Sequence, residues 1–111
     1  SLTIPAKSAY VLTSDTPAAY SEPNRVVTTI RVHYDSGLGN NMYLRGSGYP
    51  LTWSSGRKMF NISNDVWIYE IERYDVGERF EFKPMINDNT WSQGNNYIGT
   101  GGQTIDVYPN F

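Results

Sequence analysis

Residues 26–34 alternate between apolar and polar side chains with a period of two. The apolar-rich face carries Val26, Thr28, Ile30, Val32 and Tyr34, and the opposite face carries Thr29, Arg31 and His33. Successive side chains of a β-strand point to opposite sides, so one face can be buried while the other is solvated. The segment therefore predicts a half-buried strand.

The same period recurs in four further segments, residues 42–45, 66–72, 80–86 and 103–108. Their predicted inward faces include Trp67, Tyr69, Ile71, Phe80, Phe82, Ile105 and Val107. Clusters rich in Gly, Asn and Ser separate the first segments, and a long polar loop is expected from residue 46 to beyond Gly56, with a short apolar patch at residues 59–62. No window has helical spacing over three turns. These features predict an all-β fold, an immunoglobulin-like antiparallel β-sandwich of about seven to eight strands.

Residues 1–24 differ from the remainder of the chain. They hold three of the six prolines and show little periodicity apart from Ala9-Tyr10-Val11-Leu12. This composition is typical of a linker or N-terminal arm, one that could add an edge strand. Residues 25–111 are predicted to form one β-sandwich module, since 111 residues suit a single domain with a modest core.

Composition narrows the classes of function. The net charge is −2 and the nine basic residues are scattered, which argues against nucleic acid as a partner. The apolar runs are too short to cross a bilayer, so no membrane partner is expected. The absence of cysteine excludes disulfides and thiolate metal sites. What stands out is the aromatic fraction of 14%, with three Trp and nine Tyr.

The sequence offers little for catalysis. His33 is the single histidine, it lies within a predicted strand, and no serine sits in a nucleophile-elbow motif. The paired carboxylates of Glu70 and Glu72, and of Glu78 and Glu81, are typical of charges that keep a sheet surface solvated. We therefore expect no enzyme, no catalytic residue and no cofactor.

Hard oxygen ligands occur in Asn87-Asp88-Asn89 and Asn95-Asn96, and such groups suit Ca²⁺. The spaced carboxylates of an EF-hand are missing, and Asn clusters more often serve turns. The expectation is no metal site, with calcium as the minor alternative.

Trp53 and Trp91 lie in polar surroundings outside any alternating run, unlike Trp67. An exposed indole offers a flat apolar face that can stack on the C–H face of a sugar ring. Neighbouring Asn and Gln amides both donate and accept hydrogen bonds, as sugar hydroxyls require. The competing interpretation, that Trp91 plugs one end of the sandwich, carries equal weight from the pattern alone.

Several short motifs in residues 26–108 resemble the starch-binding modules of carbohydrate-binding module family 20, found at the ends of glucoamylases and related amylases. The matching stretches are Met42-Tyr43-Leu44-Arg45-Gly46-Ser47, Leu51-Thr52-Trp53, Val66-Trp67-Ile68-Tyr69, Phe80-Glu81-Phe82-Lys83 and Thr90-Trp91-Ser92-Gln93-Gly94-Asn95-Asn96. They resemble the family's "YLVGS", "LG.W", "LWYV" and "FEYK … TWE…N" patterns, in the same order. The family usually continues its strand where Pro84 stands, and it has a tyrosine near the position of Leu38.

The resemblance implies a non-catalytic module that binds α-glucan, namely starch, glycogen or maltooligosaccharide, and that tethers a catalytic domain to polysaccharide. Its sugar site would consist of stacking Trp53 and Trp91, with Lys83 and Asn96 bonded to hydroxyls. Tyr43, Tyr49 or Tyr97 could serve a second site, which the motifs do not define. Secretion is implied by the resemblance alone.

The alternative from a different class is an immunoglobulin-like structural or adhesion module with a protein partner. A glucan-binding module requires Trp53 and Trp91 to be exposed and adjacent, with Lys83 and Asn96 beside them. The alternative requires the two rings to be buried or far apart.

Overall fold

Residues 26–111 are described by a computed structural model, and the predicted arm at residues 1–24 lies outside that range. The described part contains nine strands: β1 (Thr28–His33), β2 (Met42–Gly46), β3 (Arg57–Lys58), β4 (Phe60–Ser63), β5 (Val66–Ile71), β6 (Arg79–Ile86), β7 (Thr90–Trp91), β8 (Tyr97–Thr100) and β9 (Thr104–Val107). Within this range no helix is long and apolar enough to cross a bilayer.

The strands form two sheets packed face to face. The four-stranded sheet has the order β4-β5-β1-β9. The five-stranded sheet has the order β3-β2-β6-β7, and β8 also pairs with β6. The predicted all-β sandwich is confirmed, while the finer immunoglobulin-like description stays a prediction. The strand pairing is antiparallel except between β1 and β9, which run parallel to each other.

The core lies between the sheets and is built by the alternating positions. Ile30 and Val32 of β1, Met42 and Leu44 of β2, and Phe82 of β6 are all fully buried. Trp67 is 5% exposed and Ile71 is 1% exposed, as the alternation of that segment predicts. Removing this apolar area from water is the main stabilising contribution to the sandwich.

The segment expected to be a long polar loop contains two strands. All four residues of β4 are exposed, including Phe60 and Ile62, and β4 pairs only with β5 at the edge of its sheet. An exposed edge strand has no buried face, so it lacks the alternation that reveals other strands. Together with the two-residue strands β3 and β7 and the four-residue strand β8, none of which the alternation predicted, this brings the described residues to nine strands rather than seven or eight.

Strand β6 is the scaffold of the five-stranded sheet, and Pro84 does not interrupt it. On one side β6 pairs with β8 through residues 79–82 and with β7 through residues 85–86. The Pro84 carbonyl accepts a hydrogen bond from the Ser92 backbone N–H at 3.0 Å. Because the N and C=O of one strand residue point to the same side, the missing N–H of proline faces the gap between β7 and β8. The strand therefore continues without losing a ladder bond.

Candidate functional site

Two tryptophans lie side by side on the outside of the five-stranded sheet. Trp53 belongs to the loop between β2 and β3, and Trp91 ends β7. The two residues are 39% and 43% exposed, their ring centroids are 6.4 Å apart, and their ring planes are inclined by 43°. Both indoles therefore present apolar surface to solvent within one continuous area.

Trp91 is placed by a tight turn and a short strand. Asn87 and Asp88 both have positive φ, 53° and 56°, a conformation that Asn and Asp tolerate better than most residues. The Asn87 side chain accepts a hydrogen bond from the Asn41 N–H at 2.9 Å and donates to Asn40 Oδ1 at 2.9 Å. Trp91 then pairs with Met85, which is buried. The turn thus fixes where the strand with Trp91 begins.

The loop that carries Trp53 is tied down at several points. Leu51 is buried in the core, and the Gly46 N–H donates to the Thr52 carbonyl at 3.1 Å. The buried Tyr74 hydroxyl donates to the Gly48 carbonyl at 2.7 Å. Burial raises the pKa of Tyr74 to about 12, because it disfavours the charged phenolate and so favours the protonated hydroxyl that donates this bond. Trp53 follows directly on these anchors.

Lys83 and Asn96 line the same open groove as the two indoles, a space of about 440 Å³. The Lys83 ammonium donates to the Gly94 carbonyl at 2.5 Å, and the Asn96 amide donates to Glu81 Oε1 at 3.1 Å. An ammonium has three donors and a primary amide has two donors and an acceptor, so each group keeps hydrogen-bonding capacity for a ligand. The structure brings together all four residues singled out in the sequence; their role in binding stays a prediction.

Three further residues at this site were missed by sequence reasoning. Glu81, interpreted as a solvating charge, orients the amide of Asn96. Arg45 donates from Nε to Asp88 Oδ1 at 2.9 Å and from Nη1 to the Trp53 carbonyl at 3.1 Å. Its guanidinium carbon lies 5.3 Å from the centroid of the Trp91 ring. The hydrogen bond from Arg45 lowers the pKa of the Asp88 carboxyl.

Other residues named from the sequence lie elsewhere. Tyr97 packs against Phe82 with ring centroids 5.7 Å apart, on the core side of its strand. Tyr49 is 62% exposed, with the Arg73 guanidinium 4.9 Å from its ring centroid. Leu38 is fully exposed at the rim of a separate hollow whose floor includes Trp67.

His33 lies on the outer face of the four-stranded sheet. Its Nε2 is 2.8 Å from Asp106 Oδ1, and its ring stacks on Tyr108 with centroids 4.5 Å apart. Among residues 26–111 no group of three His, Asp or Glu side chains is arranged to hold a metal ion.

Comparison with known proteins gives a structural neighbour. No protein-family profile matches the sequence, and no curated protein matches it. The fold is similar to part of the glycoside hydrolase family 15 glucoamylase from Hypocrea jecorina, with a TM-score of 0.69 and 17% sequence identity. The match covers all of this chain and 20% of the glucoamylase chain. At this identity the likeness establishes a shared fold.

Proposed function

We propose that residues 26–111 form a non-catalytic carbohydrate-binding module that binds α-glucan by stacking sugar rings on Trp53 and Trp91. The observation that carries this proposal is the pair of adjacent, exposed indoles in one groove with Lys83 and Asn96. Apolar faces and convergent polar groups are the two components that a pyranose ring requires.

The indoles and the polar side chains of the groove would contribute to binding in different ways. Each indole removes from water the C–H face of a sugar and its own exposed face, at about 25 cal/mol per Å² of apolar area. The hydroxyls at the rim of the sugar would cost about 1–3 kcal/mol each if they lost water without gaining a partner. Lys83 and Asn96 supply partners at the edge of the same groove.

The angle between the rings favours a curved chain. A flat ribbon such as a β-1,4-linked glucan presents successive sugar faces in parallel planes, so it cannot lie flat on two indoles inclined by 43°. An α-1,4-linked glucan turns progressively, and successive sugars can each meet one ring. The proposed ligand is therefore an α-glucan, namely starch, glycogen or maltooligosaccharide.

Several observations support a targeting role rather than catalysis. Hydrolysis of a glycosidic bond generally needs two carboxyl groups on either side of that bond. The four side chains that line the groove are two indoles, an ammonium and an amide. The structural neighbour is a glucoamylase chain of which this fold matches only a fifth. We infer that the module is secreted with an attached or partner enzyme and holds that enzyme on polysaccharide.

An immunoglobulin-like module with a protein partner is the alternative. That interpretation requires Trp53 and Trp91 to be buried or far apart. The two rings are instead exposed and 6.4 Å apart, which favours the glucan.

Co-sedimentation with granular starch tests the proposal. The unmodified chain should pellet with starch and stay in solution with microcrystalline cellulose. Trp53→Ala and Trp91→Ala each remove one stacking face and should weaken binding about tenfold or more, which corresponds to about 1.4 kcal/mol. Tyr108→Ala is the matched control, because Tyr108 is 70% exposed and lies beside His33 on the other sheet. An unmodified chain that stays in solution with starch, or a Trp91→Ala chain that pellets normally, would refute the proposal.

A further inference from the structure

We propose that Arg45 and Asp88 are positioning residues that hold Trp53 and Trp91 at their mutual distance and angle. This inference rests on the proposed function of the groove. It concerns two residues that do not line the groove, so they act through the indoles rather than on a sugar.

The need for such residues arises from where the indoles are attached. Trp53 belongs to a loop outside the strand ladder, and Trp91 to a strand of two residues. Neither segment is paired with the other in the sheet. A groove that depends on two rings at a set inclination therefore needs a contact that spans both segments.

Arg45 spans them. It lies on β2 directly opposite Lys83 of β6, on the outer face of the sheet. Its Nη1 donates to the Trp53 carbonyl at 3.1 Å, and its guanidinium carbon lies 5.3 Å from the Trp91 ring centroid. A guanidinium at this distance from an indole is attracted by the negative face of the ring. One side chain thus bonds the backbone of one tryptophan and contacts the ring of the other.

Asp88 also connects the two segments that carry the tryptophans. Its carboxylate accepts from Arg45 Nε at 2.9 Å and from the Gly56 N–H at 3.1 Å, and its carbonyl accepts from Arg45 Nη2 at 3.2 Å. Asp88 belongs to the turn that precedes Trp91, and Gly56 lies three residues after Trp53. The same ion pair therefore joins both tryptophan segments.

The local geometry shows that this contact is tightly fitted. A Cβ on Gly56 would lie 2.3 Å from Asp88 Oδ1 and 2.9 Å from the Tyr43 Cβ, so only glycine lets the loop approach the carboxylate. The Arg45 and Asp88 side chains are 18% and 28% exposed, which limits solvent screening of the pair. The fork of the guanidinium fits several acceptors at once, which a lysine ammonium cannot do in the same positions.

Positioning of this kind raises affinity without contact with the ligand. If the two rings are already inclined correctly, binding does not have to order a loop and a side chain at the same time. We therefore expect loss of Arg45 to weaken glucan binding while both indoles remain in place.

The experiment compares Arg45→Met, Arg45→Lys and Asp88→Asn with Arg31→Met, which removes the corresponding arginine of the other sheet. Maltoheptaose affinity is measured by titration calorimetry, and the coupling of the two indoles is measured as the far-ultraviolet circular dichroism couplet, using Trp53→Phe as the uncoupled reference. Arg45→Met should lower affinity about tenfold and diminish the couplet. Arg45→Lys should restore little of either, and Arg31→Met should match the unmodified chain.

Unchanged affinity and couplet in both Arg45→Met and Asp88→Asn would overturn the positioning role. Asp88→Asn is nearly isosteric, and it keeps the test decisive if Arg45→Met fails to fold. If the unmodified chain does not bind maltoheptaose while Arg45→Met still alters the couplet, the glucan function fails and the structural positioning stands.

Discussion

Each sheet carries an arginine–aspartate pair on its outer face, and the two pairs connect different kinds of structure. Arg31 of β1 and Asp106 of β9 are direct register partners on adjacent strands, bonded at 2.7 Å and 3.1 Å. Arg45 and Asp88 join a strand to a turn and reach the loop with Trp53. A cross-strand pair reinforces segments that the backbone ladder already holds. The second pair connects segments outside the ladder, so it controls geometry more than it adds stability.

Their surroundings differ in the same sense. The Arg31–Asp106 pair has His33 and Tyr108 beside it and lies on an open sheet surface. The Arg45–Asp88 pair lies against the Trp91 indole, beside a groove lined by Trp53, Lys83, Trp91 and Asn96. We therefore expect substitution of Arg45 or Asp88 to affect glucan affinity and the indole couplet, and substitution of Asp106 to affect thermal stability.

The largest expected difference between the two faces is in maltoheptaose affinity, and it concerns Lys83, the charged residue that lines the groove. Lys83→Met removes an ammonium that we expect to bond a sugar hydroxyl, and hydrogen bonds to charged groups contribute about 1.5–3 kcal/mol. Maltoheptaose affinity should fall about tenfold or more in calorimetric titration. His33→Ala, on the outer face of the four-stranded sheet, is the control and should leave affinity unchanged. Equal affinity in the two variants would remove the distinction between the faces.

The sequence revealed those elements whose burial is periodic. β1, β2 and residues 79–84 of β6 alternate strictly, and β5 and β9 alternate in part, because one side of each strand faces the core and the other faces outward. β4 is exposed throughout and β7 has only two residues, so neither produces a period. The parallel pairing of β1 and β9 was also hidden, since alternation is the same for either direction.

Some residues of the candidate site could likewise be predicted from the sequence, and others could not. Trp53 and Trp91 stood out because they interrupt the pattern, and the family resemblance pointed to Lys83 and Asn96. Arg45 and Asp88 are 43 positions apart in the sequence, and neither has a local neighbour that reveals the contact. The sequence singles out Asp88 only as a possible Ca²⁺ ligand within an asparagine-rich turn. A contact between residues this far apart in the sequence depends on the complete fold, which local sequence patterns do not encode.

A smaller effect is expected for the anchor of the Trp53 loop. Tyr74→Phe removes the hydrogen bond to the Gly48 carbonyl, which keeps the one it accepts from the Leu51 N–H at 3.0 Å. The free energy of unfolding should fall by about 1–2 kcal/mol in urea denaturation. Tyr108→Phe, at a residue 70% exposed on the other face, is the matched control and should change it by less than about 0.5 kcal/mol. Equal losses in both variants would show that the hydroxyl of Tyr74 has no particular role in holding the loop.

The smallest expected effect is a pH-dependent change in thermal stability at Asp106, which can be compared with the behaviour of Asp88. Hydrogen bonds from Arg31 and His33 lower the pKa of the Asp106 carboxyl to about 2 from an ordinary value of 3.8. A depressed folded pKa means that the pair stabilises the fold above about pH 4 and that this contribution disappears as the pH falls towards 2. Asp106→Asn should therefore lower the melting temperature slightly at pH 6, and the difference from the unmodified chain should shrink below pH 4 and vanish only below about pH 2.

Asp88 sharpens this last comparison, because its pKa is also lowered, chiefly by the hydrogen bond from Arg45. Because the pKa of Asp88 is lowered, its protonation requires a pH below the ordinary pKa of 3.8, so the ion pair with Arg45 should persist to about pH 4. Below that pH, the circular dichroism couplet of the unmodified chain and of Asp106→Asn should decline together, whereas Asp88→Asn should show a reduced couplet that does not change with acidification. If the couplet instead declined with acidification in Asp88→Asn but not in Asp106→Asn, the pair on the four-stranded sheet would control the indoles, and the role of Asp88 would be refuted.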